Sequence, residues 1–307
     1  QNFLDNMDLF ALMVPVKLDG FEITPWAMYG AAGKNTLTDL GSTADGNLPF
    51  TTRPYFGTPN NEWPIGKTSK AYGSMFWAGL PFAITAWDPL NIEVDINYGY
   101  VEAMGRYDAY KNHNTVYKRG STERQGWLAK ALVEYKMDWG VPGIFGWYGS
   151  GDDDNPANGS ERMPSISVDN NNNGFSNFAF NGGPYIAREA MLGYSMSGTW
   201  GIGARVKDVS FVEDLKHTLR VNYIGGTNAP KMAKYIVGNV DRGYPGLGGD
   251  ITGPNMQGLG MDPLYMTTED SALEIGLTNE YKMYENFTIM LDAAYLATWI
   301  DHSKSTW

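Results

Sequence analysis

Alternation of period two, sustained over runs longer than an ordinary soluble strand, is the feature that most narrows what this chain can become. In 287–299, Phe287, Ile289, Leu291, Ala293, Tyr295, Ala297 and Trp299 fill every second position. Successive side chains of a strand point to opposite faces, so these seven share one face. In 127–139, Trp127, Ala129, Ala131, Val133, Tyr135, Met137 and Trp139 oppose Leu128, Lys130, Leu132, Glu134, Lys136 and Asp138. In 272–283, Leu273, Ile275, Leu277, Asn279, Tyr281 and Met283 oppose Glu274, Thr278, Glu280 and Lys282. In 92–100, Ile92, Val94, Ile96, Tyr98 and Tyr100 oppose Glu93, Asp95, Asn97 and Gly99. Weaker alternation marks 10–18, 21–31, 200–212 and 215–223, and a further strand covers 143–150. The period slips near Lys207–Asp208, where a β-bulge is expected. Residues 72–87 are apolar on both faces, which predicts burial on both sides.

About ten strands follow from this pattern. Tight turns fall at Leu18-Asp19-Gly20, Asp88–Asn91, Trp139–Gly143, Glu213-Asp214 and Tyr284–Asn286. Long polar loops cover about 33–70, 107–123, 151–198 and 227–269. Short turn, long loop, short turn is the rhythm of outer-membrane barrels. The only candidate helix is a short one near Ala187–Tyr194.

Three features favour lipid over a soluble core. Apolar stretches of about 9–13 residues match a tilted crossing, which needs roughly 9–11, whereas ordinary strands run nearer 5–6. Aromatics bracket the apolar faces: Trp127 with Trp139, and Phe287 with Trp299 and Tyr295. The opposite faces carry Glu93, Asp95, Lys130, Glu134, Glu274, Glu280 and Lys282, which suit a water-filled lumen because unpaired buried charge is costly. The expected fold class is all-β, a transmembrane antiparallel up-and-down β-barrel occupying 1–307 as a single domain. The alternative is a secreted or surface β-sandwich binding module without a pore.

Composition removes other classes. The chain has no Cys, which excludes a disulfide scaffold, a thiolate zinc site and a cysteine nucleophile. Its three His, at 113, 217 and 302, are too dispersed for a His-rich metal site. A net charge of −11 argues against a nucleic-acid surface and for some cation preference in a pore. No apolar run of about 18 residues is present, so no membrane-spanning helix is expected. No catalytic constellation stands out, so the chain is not expected to be an enzyme.

An open channel is associated with about 16–18 strands, whereas ten leave a lumen filled by side chains. Residues 1–8 lack the pattern of a signal peptide, and 302–307 read as the start of a loop. The expectation is therefore a portion of a larger barrel of about 16 strands, without its terminal strands.

The segments Asp8-Leu9-Phe10-Ala11-Leu12-Met13-Val14-Pro15, Phe145–Asp153, Gly159-Ser160-Glu161-Arg162-Met163-Pro164 and Val212–Val221 resemble the homotrimeric outer-membrane porins of Desulfovibrio-type bacteria. The resemblance implies a bacterial outer-membrane location, a homotrimer, contact with outer-membrane lipid and lipopolysaccharide, and a passive pore for small hydrophilic solutes or ions. Loop 151–198 is the candidate inward-folded constriction. Asp152, Asp153, Asp154, Glu161 and Arg162 would stand on it, facing Arg188, Arg205, Lys207, Lys216 and Arg220 on the wall. A solvated outer loop is the plainer alternative. No cofactor is required. Calcium at Asp152, Asp154 and Asn158 is a candidate because Ca²⁺ takes oxygen ligands, although Pro156 breaks the EF-hand pattern. Met75, Phe76, Trp77, Leu80, Phe82 and Ile84 form a candidate trimer contact.

Overall fold

In a computed structural model, the described residues are 7–33, 72–103, 106–112, 115–121, 123–155, 157–164, 175–180, 196–232 and 266–301. Among the described residues fourteen strands form: β1 (Met7–Met13), β2 (Val16–Leu18), β3 (Phe21–Ile23), β4 (Trp26–Gly33), β5 (Tyr72–Ile84), β6 (Leu90–Val101), β7 (Arg106–Asn112), β8 (Thr115–Ser121), β9 (Arg124–Tyr135), β10 (Val141–Gly149), β11 (Thr199–Val212), β12 (Leu215–Gly226), β13 (Ser271–Tyr284) and β14 (Phe287–Trp299). Twelve build one antiparallel up-and-down sheet in the order β1-β4-β5-β6-β9-β10-β11-β12-β13-β14, with β2 and β3 attached beside β5. The fold is all-β. One large sheet, rather than the two facing sheets of a sandwich, accounts for the ten long strands.

Two prolines explain why the first hairpin counts as four short strands. Pro15 interrupts the run from β1 to β2, and Pro25 interrupts β3 to β4. Proline donates no N–H to a ladder. The two breaks lie side by side, and the Val14 N–H donates to the Pro25 carbonyl at 3.0 Å.

Turns fall at 19–20, 86–89, 138–139, 213–214 and 285–286; two lie earlier than the expected 88–91 and 139–143, because β6 already begins at Leu90 and β10 at Val141. Gly20 sits at φ 69°, and a Cβ there would meet the Ala86 backbone. All five turns lie at one end of the sheet, and the strand ends from which the long connections leave lie at the other. The slip near Lys207–Asp208 is a true irregularity. Pairing of β11 with β12 shifts between Val206 and Val209, and Asp208 adopts φ 58°.

Loop 107–123 was expected to be irregular, but β7 and β8 make a separate two-stranded sheet there. Its Lys, Arg, Asp and Asn content hid it, because a two-stranded sheet separate from the main one needs no long apolar row. Residues 230–232, inside another expected loop, are helical. The candidate helix at Ala187–Tyr194 lies outside the described residues.

The sheet has two unlike faces. Leu12, Ile144, Ile202, Phe211 and Leu291 are 62–83% exposed on the outer face. The inner rows hold Leu132, Phe145, Trp147, Ile224 and Ala272, all buried together with Phe175 and Phe180. A second cluster joins Met28, Ala32, Met75, Trp77 and Val101. Residues 72–87 thus owe their double apolar character to two environments. Met75 and Trp77 point inward and are 1% exposed, whereas Phe76 and Leu80 are about 40% exposed on the outer face. No helix among the described residues is long and apolar enough to cross a membrane.

Gly201 faces Trp147 across the β10–β11 pair, and a Cβ at 201 would collide with the indole. Gly201→Val is expected to cost about 1–3 kcal/mol by overpacking. Denaturant unfolding followed by tryptophan fluorescence checks this, and an unchanged midpoint would contradict it.

Candidate functional site

The polar inner rows converge on the middle of β9–β14, where two glycines make room. Gly143 of β10 stands between Glu134 of β9 and Arg205 of β11 in one row. With no side chain at 143, Arg205 reaches across β10. The Glu134 carboxylate accepts from Arg205 Nε at 3.0 Å and Nη2 at 2.8 Å, and from Lys207 Nζ at 3.0 Å. Glu134 is 3% exposed and Arg205 8%. A buried, hydrogen-bonded pair of this kind resists loss of either partner, because the remaining charge would be stranded.

The second glycine is Gly276 of β13, opposite Arg220 of β12. Asn177 from the loop lies directly over Gly276. Arg220 Nη1 donates to Asn177 Oδ1 at 3.2 Å and to Thr278 Oγ1 at 2.8 Å. Asn177 Nδ2 donates to Thr278 Oγ1 at 3.0 Å and to Asp292 Oδ1 at 3.1 Å.

Beside it, Glu274 is 1% exposed. Its Oε1 accepts the backbone N–H groups of Asn177, Phe178 and Ala179 at 2.9, 2.8 and 3.3 Å. Its Oε2 accepts Asn222 Nδ2 at 3.0 Å, and Asn222 also donates to the Phe175 carbonyl. Residues 175–180 are thereby held on the inner face. Phe175 stacks on Phe145 at 4.3 Å between centroids, and Phe180 meets Trp147 edge-on at 5.7 Å. Arg205 lies 5.8 Å from the Phe175 ring centre.

The acidic part of the loop is organised locally. Asp152 is 1% exposed; its Oδ1 accepts Ser160 Oγ at 2.6 Å and the Glu161 N–H at 3.1 Å. Asp153 accepts from the Asn155 N–H and from Asn158 Nδ2. Asp154 pairs with Lys231 at 2.6 Å. Arg162 donates to the Ser197 carbonyl at 2.8 Å. The calcium candidates Asp152, Asp154 and Asn158 therefore each have a protein partner. No cluster of three or more His, Asp or Glu suited to a metal occurs among the described residues. Burial pushes the Glu161 carboxyl up to about 7, against a lowering hydrogen bond from the Asp153 N–H and with added repulsion from Asp152 and Asp153.

The remaining sequence candidates are scattered. Glu93, Asp95 and Lys130 lie on the inner rows of β6 and β9, with Lys130 and Asp95 3.8 Å apart. Lys216 pairs with Asp208 at 3.1 Å near the short turns, close to Glu280 and Lys282 on β13. Arg188 lies outside the described residues. Sequence reasoning missed Asn177, Asn222, Thr278 and Phe175 as site residues. The available signal was the aromatic stretch Phe175–Phe180 directly after the polar Asn170–Asn173.

No family model matches the chain, and no curated protein matches it. The chain is similar to a solved structure described as the CymD monoaromatic hydrocarbon channel, at 9% identity and a TM-score of 0.32, over 95% of this chain and 70% of that one. A likeness at that level decides nothing about solute or mechanism.

Two outcomes follow from this geometry. Glu274→Ala strands three backbone donors, each worth about 1–3 kcal/mol when left unpaired. Amide exchange at Asn177–Ala179 is expected to quicken by at least about tenfold; unchanged exchange would count against Glu274 holding residues 175–180 in place. For Glu161, the folded-state value lies above the ordinary 4.5. Its contribution to loop stability is thus fully present below pH 4.5 and lost as pH rises through about 7. Exchange of the Asp153 and Glu161 amides should accelerate between pH 5 and 8 beyond the intrinsic rate, and Glu161→Gln should remove that excess.

Proposed function

We propose that this chain forms the wall of a bacterial outer-membrane porin, a homotrimer through which small hydrophilic solutes or ions diffuse passively. The observation that carries the reading is the outer face. At the long-loop end it exposes Tyr29, Trp127, Tyr148, Trp200, Tyr223 and Trp299. At the short-turn end it exposes Trp87, Tyr135, Trp139, Phe211, Tyr284 and Phe287. Between these rings stand aliphatic side chains such as Ile96, Ile144, Ile202, Leu277 and Leu291, all exposed. A soluble sheet would not present such an area to water. Aromatic girdles around an aliphatic band are what a bilayer requires of a barrel. The path from Phe287 to Trp299 is roughly 40 Å along the strand at about 3.3 Å per residue. Tilted by about 45°, it rises roughly 28 Å, close to the thickness of the hydrocarbon core.

The charges left part-exposed on the inner face, Lys207, Arg220 and Asp292, favour the conduction of polar solutes. Charged side chains around a passage set which solutes enter. In this reading, residues 175–180, held on the inner face, narrow the passage. No enzymatic step and no obligatory cofactor belong to this reading.

Purified protein should need detergent, and reconstitution into planar bilayers should yield stepwise current. A monodisperse species in plain buffer, or bilayers that stay silent, would sink the proposal. Within the band, Leu277→Arg should cost about 2–4 kcal/mol for unfolding from vesicles, and Tyr284→Arg at the rim about 0–1. Equal costs at the two sites would contradict a membrane-embedded face.

A further inference from the structure

Below residues 175–180, on the short-turn side, the inner face opens into a cleft of 330 Å³ between β3, β5, β6 and β9, with Phe175 against it. Strand register builds it. One row runs Glu22, Ala83, Glu93, Leu132, and the next runs Pro81, Asp95, Lys130. The small Ala83 and Pro81 leave depth between the charged side chains.

Two of those charges are poorly served by the protein. Asp95 Oδ1 is buried and has no hydrogen-bond partner. Lys130 is 13% exposed, and its ammonium meets Asp95 at 3.8 Å, too far for a hydrogen bond. Glu93, by contrast, accepts from Asn91 Nδ2 at 2.8 Å, and Glu22 pairs with Lys17 at 3.1 Å. An ammonium has three N–H groups to place, and a buried carboxylate oxygen left unbonded is costly. The unmet demand is for one acceptor near Lys130 and one donor near Asp95, in a cleft where carboxylates outnumber ammonium groups.

We propose that this cleft is a subsite for a small zwitterion, with its ammonium end at Asp95 and Glu93 and its carboxylate end at Lys130. The inference rests on the pore reading for how a solute arrives, but its binding step can be measured without a pore. Detergent-solubilised protein would be titrated calorimetrically with γ-aminobutyrate, butane-1,4-diamine, butyrate and glucose. Saturable heat is expected with γ-aminobutyrate. The diamine and butyrate should bind about tenfold more weakly, each lacking one charge-assisted contact, and glucose should give none. Asp95→Asn and Lys130→Met should each weaken γ-aminobutyrate by about tenfold, with far-UV circular dichroism checking that both variants keep the sheet.

Absence of saturable heat, a diamine that binds as well as γ-aminobutyrate, or folded variants that bind as the parent does would each overturn the subsite. Liposome swelling with the same four solutes reads the other claim: no swelling with any of them would overturn the pore while the titration still judges the cleft.

Discussion

A carboxylate shut away from water must find all its partners nearby, and Glu274 finds three of its four on a loop. Three consecutive N–H groups and one side-chain amide surround it. Stripping a carboxylate of hydration costs several kcal/mol or more unless such donors replace the water. The position of residues 175–180 is therefore fixed by an electrostatic demand on the wall. Once the backbone is held there, Phe175 falls onto Phe145, and Asn177 falls into the gap over Gly276. The aromatic cluster and the Arg220–Thr278–Asp292 network follow from that one anchor.

The same logic explains the missing side chains. Gly143 and Gly276 interrupt the inner rows where long groups must reach across a strand. One lets Arg205 meet Glu134; the other lets Asn177 meet Arg220. Charge on this face is matched by geometry across two or three strands, not by neighbours in sequence.

Much of the architecture was legible because a strand writes its two environments into alternate positions. The faces of 92–100, 127–135, 272–283 and 287–299 read directly, as did the turns at 19–20, 213–214 and 285–286 and the slip at Asp208. Other parts were not legible, for physical reasons. The β7–β8 hairpin has no apolar row to announce it. The breaks at Pro15 and Pro25 shortened strands that the period alone joins. In the site, Glu134, Arg205 and Glu274 were visible as charges on a polar face. Their partners were not, because Asn177 and Phe175 come from a loop whose period carries no direction. The acids of 152–154 drew attention by density alone, yet their partners include Ser160, Asn158 and Lys231.

The paired proline breaks have a mechanical consequence. They act as a crease across the first hairpin, and what lies beyond the crease pairs over shorter runs. The segment β2–β3 joins through three residue pairs internally, and β3 joins β5 through three more, with the Thr24 N–H on the Pro81 carbonyl and the Gly20 carbonyl accepting from Thr85 and Ala86. Its long neighbours are held by runs of ten to twelve pairs. Local opening is easiest where pairing is shortest. Glu22 sits on that segment, so the acidic rim of the cleft rests on the shortest pairing in the sheet.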